Sequence, residues 1–207
     1  LLWGSPSLAE ELCLPAIGNA VPARRLHFEV HPRAFFQPNT LQAEVLYGEV
    51  LRAALAPGLD VGACGLRAMD LYCGTGTIAL CLAPACEQVI GVELSKEAVD
   101  NARRNALRNG LDNVVFHAGD AGKLLQTELA AERGKIDLVV LDPPRAGLMP
   151  AAMEHLGHVA APRLVYVSCN PEALARDLIA LRQQGLETRY VQPVDMFPHT
   201  GHLENVA

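Results

Sequence analysis

At 207 residues, 50% of them hydrophobic, the chain can bury one substantial core and form one domain with an appendage. A formal net charge of −6 speaks against a self-sufficient nucleic-acid surface, which normally clusters Lys and Arg, and taken alone it favours a small-molecule enzyme. No apolar run approaches the roughly 18 to 20 residues of a membrane span, which excludes a membrane helix.

The first residue is Leu1, consistent with an excerpt or a processed product, and Leu1-Leu2-Trp3-Gly4-Ser5-Pro6 lacks the pattern of a signal peptide. Residues 1–34 are punctuated by proline and weakly patterned, except that Leu26-His27-Phe28-Glu29-Val30 alternates like a strand. They read as the tail of a preceding domain or a β-hairpin packed on a main domain that takes 35–207. Over 39–56, Leu41, Val45, Leu46, Val50, Leu51 and Leu55 form a helical stripe that Pro57-Gly58 ends. A strand–helix rhythm follows, with strands expected at 68–72, 89–93, 114–118, 138–141, 164–168 and 189–193. Helices are expected at 77–84, 96–109, 121–132, 150–158 and 171–184, and a last strand near Glu204 that is cut short after Ala207. Short links between alternating strands and helices imply an α/β fold, a mostly parallel sheet with helices on both faces.

Three strand ends carry chemistry. The first runs Asp70-Leu71-Tyr72-Cys73-Gly74-Thr75-Gly76 into a helix. Gly74 and Gly76 let the backbone approach a ligand, and Ala79 stands where a dinucleotide fingerprint has its third glycine. The next strand ends Ile90-Gly91-Val92-Glu93, an acid placed for a ribose diol. NAD and S-adenosylmethionine both carry that ribose, but Asp70 within the loop, with the later Asp-Pro-Pro and Cys, resembles motif I of class I methyltransferases more than a dehydrogenase. Asp120 has two readings, a contact to adenine and a helix N-cap.

The second strand end is Asp142-Pro143-Pro144-Arg145. Amine methyltransferases place an aromatic residue after such a motif, and Arg145 disfavours that reaction. The third is Leu164-Val165-Tyr166-Val167-Ser168-Cys169-Asn170-Pro171, which delivers a cysteine to the carboxyl edge of a strand, where open α/β sheets bind ligands. A thiolate serves methylation of an unactivated ring carbon. Adding to carbon 6 of a pyrimidine makes carbon 5 nucleophilic, and a base must then remove the carbon 5 proton. Glu204, after Phe197-Pro198-His199-Thr200-Gly201-His202-Leu203, is the candidate base. His199 and His202 lack a third metal ligand, so no metal is expected. The six cysteines, at 13, 64, 73, 81, 86 and 169, form no CxxC pair, which favours reduced thiols in the cytoplasm and argues against a zinc or iron–sulfur site in this piece.

In this order the motifs resemble the RNA (uracil-5-)-methyltransferase family, which makes 5-methyluridine in transfer and ribosomal RNA. The resemblance runs from about His27 to the end, through Phe35-Phe36-Gln37-Pro38-Asn39-Thr40, the 70–76 loop, Gly91-Val92-Glu93, Leu141-Asp142-Pro143-Pro144-Arg145-Ala146-Gly147, Val167-Ser168-Cys169-Asn170-Pro171 and Asp195-Met196-Phe197-Pro198-His199-Thr200. It implies a Rossmann-like class I methyltransferase fold with a seven-stranded sheet and S-adenosylmethionine as cofactor. It further implies that Gln37, Tyr72, Glu93 and Asp142 contact cofactor or target uracil, Cys169 is the nucleophile and Glu204 the base; Thr77 stands where some members carry an Asn that lines the cofactor site. Members usually carry an amino-terminal RNA-binding β-barrel and a central domain, and some hold an iron–sulfur cluster. The acidic charge suits a catalytic domain that relies on such parts for its grip on RNA.

The expectation is a cytoplasmic, monomeric enzyme methylating carbon 5 of a flipped or loop-exposed uridine in structured RNA. Phe35, Phe36 and Phe197 are each candidates to stack on that base or to lie in the core. An RNA cytosine-5 methyltransferase uses the same thiolate chemistry, and a non-catalytic nucleotide-binding module is the alternative from another class.

Overall fold

A computed structural model describes residues 7–18, 21–57 and 65–207. The opening hexapeptide, Gly58 of the expected helix stop and Cys64 lie outside the described residues. Two strands, β1 (Leu8–Leu14) and β2 (Arg24–Val30), form an antiparallel hairpin. Helix α1 (Thr40–Ala54) follows, then β3 (Leu66–Leu71), α2 (Thr77–Leu82), β4 (Cys86–Glu93), α3 (Lys96–Arg108), β5 (Val114–Ala118) and α4 (Ala121–Gln126). The chain continues through β6 (Leu138–Leu141), α5 (Pro150–Val159), β7 (Arg163–Ser168), α6 (Pro171–Gln183), β8 (Gln192–Val194) and β9 (Glu204–Val206). Strands β3 to β9 make one seven-stranded sheet in the order β5-β4-β3-β6-β7-β9-β8. The ladders from β5 across to β7 are parallel, and β9 runs antiparallel to both β7 and β8. The mostly parallel sheet read from the sequence is present. Because β3 and β4 step one way and β6 and β7 the other, the order reverses at β3, and open α/β sheets bind ligands outside the carboxyl ends of their strands at such a point.

The sheet separates two cores because consecutive strand residues point to opposite faces. Along β6, Leu138 and Val140 join α1, α2 and α3, whereas Val139 and Leu141 join α4, α5 and α6. The buried face of α1 is Ala43, Leu46, Tyr47, Val50, Leu51 and Ala54. Of the expected stripe, Leu46, Val50 and Leu51 are buried and Leu55 packs partly buried on the core, whereas Leu41 is 74% exposed and Val45 48% exposed. Small alanines and a tyrosine complete the true stripe, and a reading weighted to large aliphatics passes over them. Helix α2 stops at Leu82, short of the expected 84, and a tight turn with Pro84 follows, since proline has no N–H to continue the ladder. Likewise α4 ends at Gln126, and a separate short turn covers Ala130–Glu132. The strand expected at 189–193 is confined to β8, with 189–191 outside any ladder.

The hairpin packs with its buried Leu12, Leu14, Leu26, Phe28 and Val30 in the same core as α1 and α3. Its β1 strand is weak in sequence because only Leu12 and Leu14 are buried along it. The free edge of β2 is closed by side chains of α3. Asn109 accepts from the His27 N–H at 2.8 Å and donates to its carbonyl at 2.7 Å, while Asn105 accepts from the Glu29 N–H at 2.8 Å. Asn101 donates to the Glu29 carbonyl and accepts from the His31 N–H. Residues four apart on a helix rise about 6 Å, close to the roughly 6.6 Å of alternate strand residues, so three amides can follow one strand edge.

Gly91 lies in β4 with Phe116 of β5 against it; a Cβ there would meet Phe116 Cδ1 at 2.4 Å. Gly91→Ala should therefore destabilise by on the order of 1–3 kcal/mol through overpacking. A lowered urea midpoint at unchanged slope checks this.

Candidate active site

The carboxyl edges of β3, β4, β6 and β7, with the start of β9, gather the chemically capable side chains. After β3 the chain turns sharply. The Cys73 N–H donates to the Val92 carbonyl at 3.0 Å and the Gly76 N–H to the Cys73 carbonyl at 2.8 Å. Tyr72, Gly74 and Gly76 all take positive φ, at 66°, 53° and 82°. For Tyr72 this left-handed backbone is unfavourable, and such conformations persist where the surroundings over-determine them, often at functional sites. A Cβ on Gly76 would meet the Phe116 ring at 2.9 Å, whereas one on Gly74 would meet open space. Glu93 brackets the turn, its Oε2 accepting from the Gly74 N–H at 3.1 Å and its Oε1 from the Ser95 N–H at 2.9 Å.

Beneath the turn Asp70 is fully buried. Its Oδ2 accepts the Ala79 N–H at 2.8 Å, and its Oδ1 has no hydrogen-bond partner. Burial, then the neighbouring Asp142, holds its carboxyl well above the usual range. Tyr47 from α1 is buried near Asp142 and Asp70, and burial raises its phenol. The expected helical stripe omitted Tyr47, and nothing in its local pattern marks it as part of this cluster. Asp120 accepts from the Lys123 N–H at 2.9 Å and so caps α4.

On the other side of β3, the loop after β6 is held from behind. Buried Asp177 of α6 accepts from the Leu148 N–H and the Tyr166 hydroxyl, both at 2.7 Å. Asn170 caps α6 and donates to the Arg145 carbonyl at 3.0 Å, which ties the Asp142-Pro143-Pro144-Arg145 loop to the Cys169 loop. The antiparallel register pairs Val167 with Val206 and Ser168 with Asn205, so one step further Cys169 meets Glu204. Glu204 is only 8% exposed, and burial lifts its carboxyl to about 7. Asp142 is also lifted to about 7, by burial first and by Glu204 second. The exposed Cys169 thiol is raised by partial burial, then by Glu204 and Asp142, with Arg145 opposing. It is therefore a thiol flanked by two carboxyl groups and one guanidinium cation.

The loop before α1 reaches the same edge. Gln37 is buried, and Asn39 caps α1 and donates to the Met196 carbonyl at 2.9 Å. Phe36 packs on Phe28 at 5.5 Å between ring centroids and Phe197 packs on the core, whereas Phe35 is 69% exposed. The basic cluster on α3 is occupied internally: Arg104 and Arg108 pair with Glu29, and Arg103 with Asp100. Among the described residues, no group of three His, Cys, Asp or Glu side chains is arranged to hold a metal ion, and no helix is long and apolar enough to cross a membrane.

A family model described as tRNA (Uracil-5-)-methyltransferase matches residues 18–206. A Protochlamydia amoebophila protein named as an RNA methyltransferase is 44% identical over 206 residues, 100% of this chain and 45% of its own length. A Halalkalibacterium halodurans protein of the same description is 42% identical over 207 residues, 100% of this chain and 41% of its own. The crystal structure of Pyrococcus abyssi tRNA (uracil-54, C5)-methyltransferase in complex with S-adenosyl-L-homocysteine superposes with a TM-score of 0.77 at 31% identity, over 99% of this chain and 44% of that one. The chain thus spans less than half the length of these relatives.

Burial of Glu204 has a pH signature. A carboxyl with a raised folded-state pKa leaves the fold unpenalised below the unfolded value of 4.5, and stability is lost as pH rises toward about 7. Glu204→Gln should remove that loss, so its thermal midpoint should gain on the wild type as pH rises through this window. A constant difference between the two across the window would show that Glu204 titrates normally.

Proposed function

The chain belongs to the tRNA (uracil-5-)-methyltransferase family, and from that premise we propose that it transfers a methyl group from S-adenosylmethionine to carbon 5 of a uridine in structured transfer or ribosomal RNA. The observation that carries the mechanism is the register that sets Cys169 opposite Glu204, with Asp142 alongside.

The crevice suits this cofactor. Gly74 leaves open space where a side chain would begin, and Glu93 borders the turn through its bonds to the Gly74 and Ser95 N–H groups. In this reading the 74–76 turn and Glu93 hold the ribose, while Gln37, Tyr72, Thr77 and Asp142 line the cofactor and the uracil. Glu93 keeps lone pairs free beyond its two backbone bonds, as a carboxylate accepts at about four sites. When bound, the cofactor supplies an electrophilic methyl group.

Cys169, which is exposed, gives its proton to solvent water as its sulfur adds to carbon 6 of a base drawn out of its stack, and the electron pair displaced from the 5,6 double bond makes carbon 5 the nucleophile. After methylation, Glu204 takes the carbon 5 proton, the carbon–sulfur bond breaks and the thiolate leaves. A base with a pKa near the operating pH is efficient in that role, and a carboxyl at about 7 meets the condition. Phe35, 69% exposed in the loop before α1, is a candidate to stack on the base.

Cys169→Ala should abolish both turnover and covalent capture of RNA. Glu204→Gln should accumulate a protein–RNA adduct that already carries the labelled methyl, visible on a denaturing gel. Failure of the wild type to trap 5-fluorouridine RNA would falsify the thiolate route, and 5-methylcytidine in a nucleoside digest would reassign the base. Glu93→Ala should weaken adenosylhomocysteine binding by on the order of 1–3 kcal/mol, measured by calorimetry.

A further inference from the structure

The strand edge of β2 presents five backbone groups to α3: the N–H and carbonyl of His27, the N–H and carbonyl of Glu29, and the N–H of His31. Three asparagine side chains offer six hydrogen-bonding groups. Asn109 and Asn101 use both of theirs on the strand. Asn105 uses only its oxygen there, and its Nδ2 donates instead to the carbonyl of Thr75, at 3.2 Å, in the turn between Gly74 and Gly76. The orientation of this amide is unambiguous, because the Glu29 N–H requires an oxygen opposite it and the Thr75 carbonyl requires a donor. Asn105 and Thr75 are both essentially inaccessible to water, so neither bond has a solvent substitute.

We propose that Asn105 is a positioning residue for the turn at residues 74–76, holding the Thr75 carbonyl and coupling the β1–β2 hairpin to ligand binding at that turn. The inference rests on the reading of this turn as the cofactor site. Residues 74 and 76 flank Thr75 in left-handed conformations, so the orientation of its carbonyl depends on outside partners. Thr75 Oγ1 lies 3.2 Å from Thr77 Oγ1 at the start of α2, so the carbonyl bond from Asn105 is the link of Thr75 to the hairpin side. Only an amide can serve both partners from one planar group. Aspartate keeps the acceptor for Glu29 and turns an oxygen on Thr75.

Two measurements test this. Asn105→Asp should weaken adenosylhomocysteine binding by about tenfold, the scale of one lost buried hydrogen bond. Asn109→Ala, which removes two hairpin bonds and one to the Asn105 carbonyl but leaves the Asn105 side chain on Thr75, should lower the melting temperature and leave the affinity within about twofold. In the wild type, coupling must be reciprocal. Adenosylhomocysteine should therefore slow hydrogen exchange at the Glu29 amide, bonded to Asn105, more than at the His27 amide, bonded to Asn109. This second measurement needs no variant and stands even where Asn105→Asp fails to fold. Equal protection of the two amides, or affinity losses that merely track melting temperature in both variants, overturns the coupling while leaving the cofactor site intact. A wild type that binds no adenosylhomocysteine overturns the cofactor reading and the coupling together.

Discussion

The direction of β9 governs the rim. This three-residue strand enters antiparallel between β7 and β8, so its first residue, Glu204, lies at the carboxyl edge beside Cys169. In a parallel strand the same residue would sit at the far end of the sheet, a strand length away from the thiol. The insertion is held by more than its ladder: Asn205 donates to the Ser168 carbonyl at 3.2 Å, and Ala207 exchanges both backbone bonds with Tyr166. Tyr166 is itself fixed through its hydroxyl to Asp177, which also fixes the loop after β6. One network thus sets the thiol, the carboxyl beside it and the Asp142 loop.

Electrostatics follows from that placement. Asp70, Asp142 and Glu204 are drawn out of water together, and each resists ionising. Among them Arg145 is the opposing charge that reaches Cys169. The result is a crevice with protonatable acids near neutrality and a thiol that is not ionised in advance. An exposed cysteine kept as a neutral thiol is shielded from indiscriminate reaction, since the thiolate is the reactive form.

The positive charge of the chain is largely committed to the fold. Arg103 ties α3 to the Phe116 carbonyl of β5, Arg104 and Arg108 tie it to Glu29, Arg67 pairs with Glu132, and Arg163 binds carbonyls at the end of α1. An acidic chain whose arginines are internally engaged presents little sequence-independent attraction to phosphates.

Much of this was legible in the linear sequence, because it depends on short-range patterns. Strand–helix alternation, the glycines around Thr75, the acid closing β4 and the cysteine at the end of an apolar run all follow from local sterics and burial. Asn39, Ser95, Asp120 and Asn170 cap helices through contacts two or three residues away. What the sequence did not disclose depends on partners far along the chain. Tyr47 gains meaning only from Asp70 and Asp142, and β1 only from pairing with β2 and packing on α1. The asparagines at 101, 105 and 109 show a helical spacing, yet as polar residues they read as a solvated face until a strand edge lies against them. The sequence by itself determined which chemistry the strand ends carry. The tertiary structure decided which of those groups meet, because an antiparallel register and a buried amide act between residues that local patterning cannot connect.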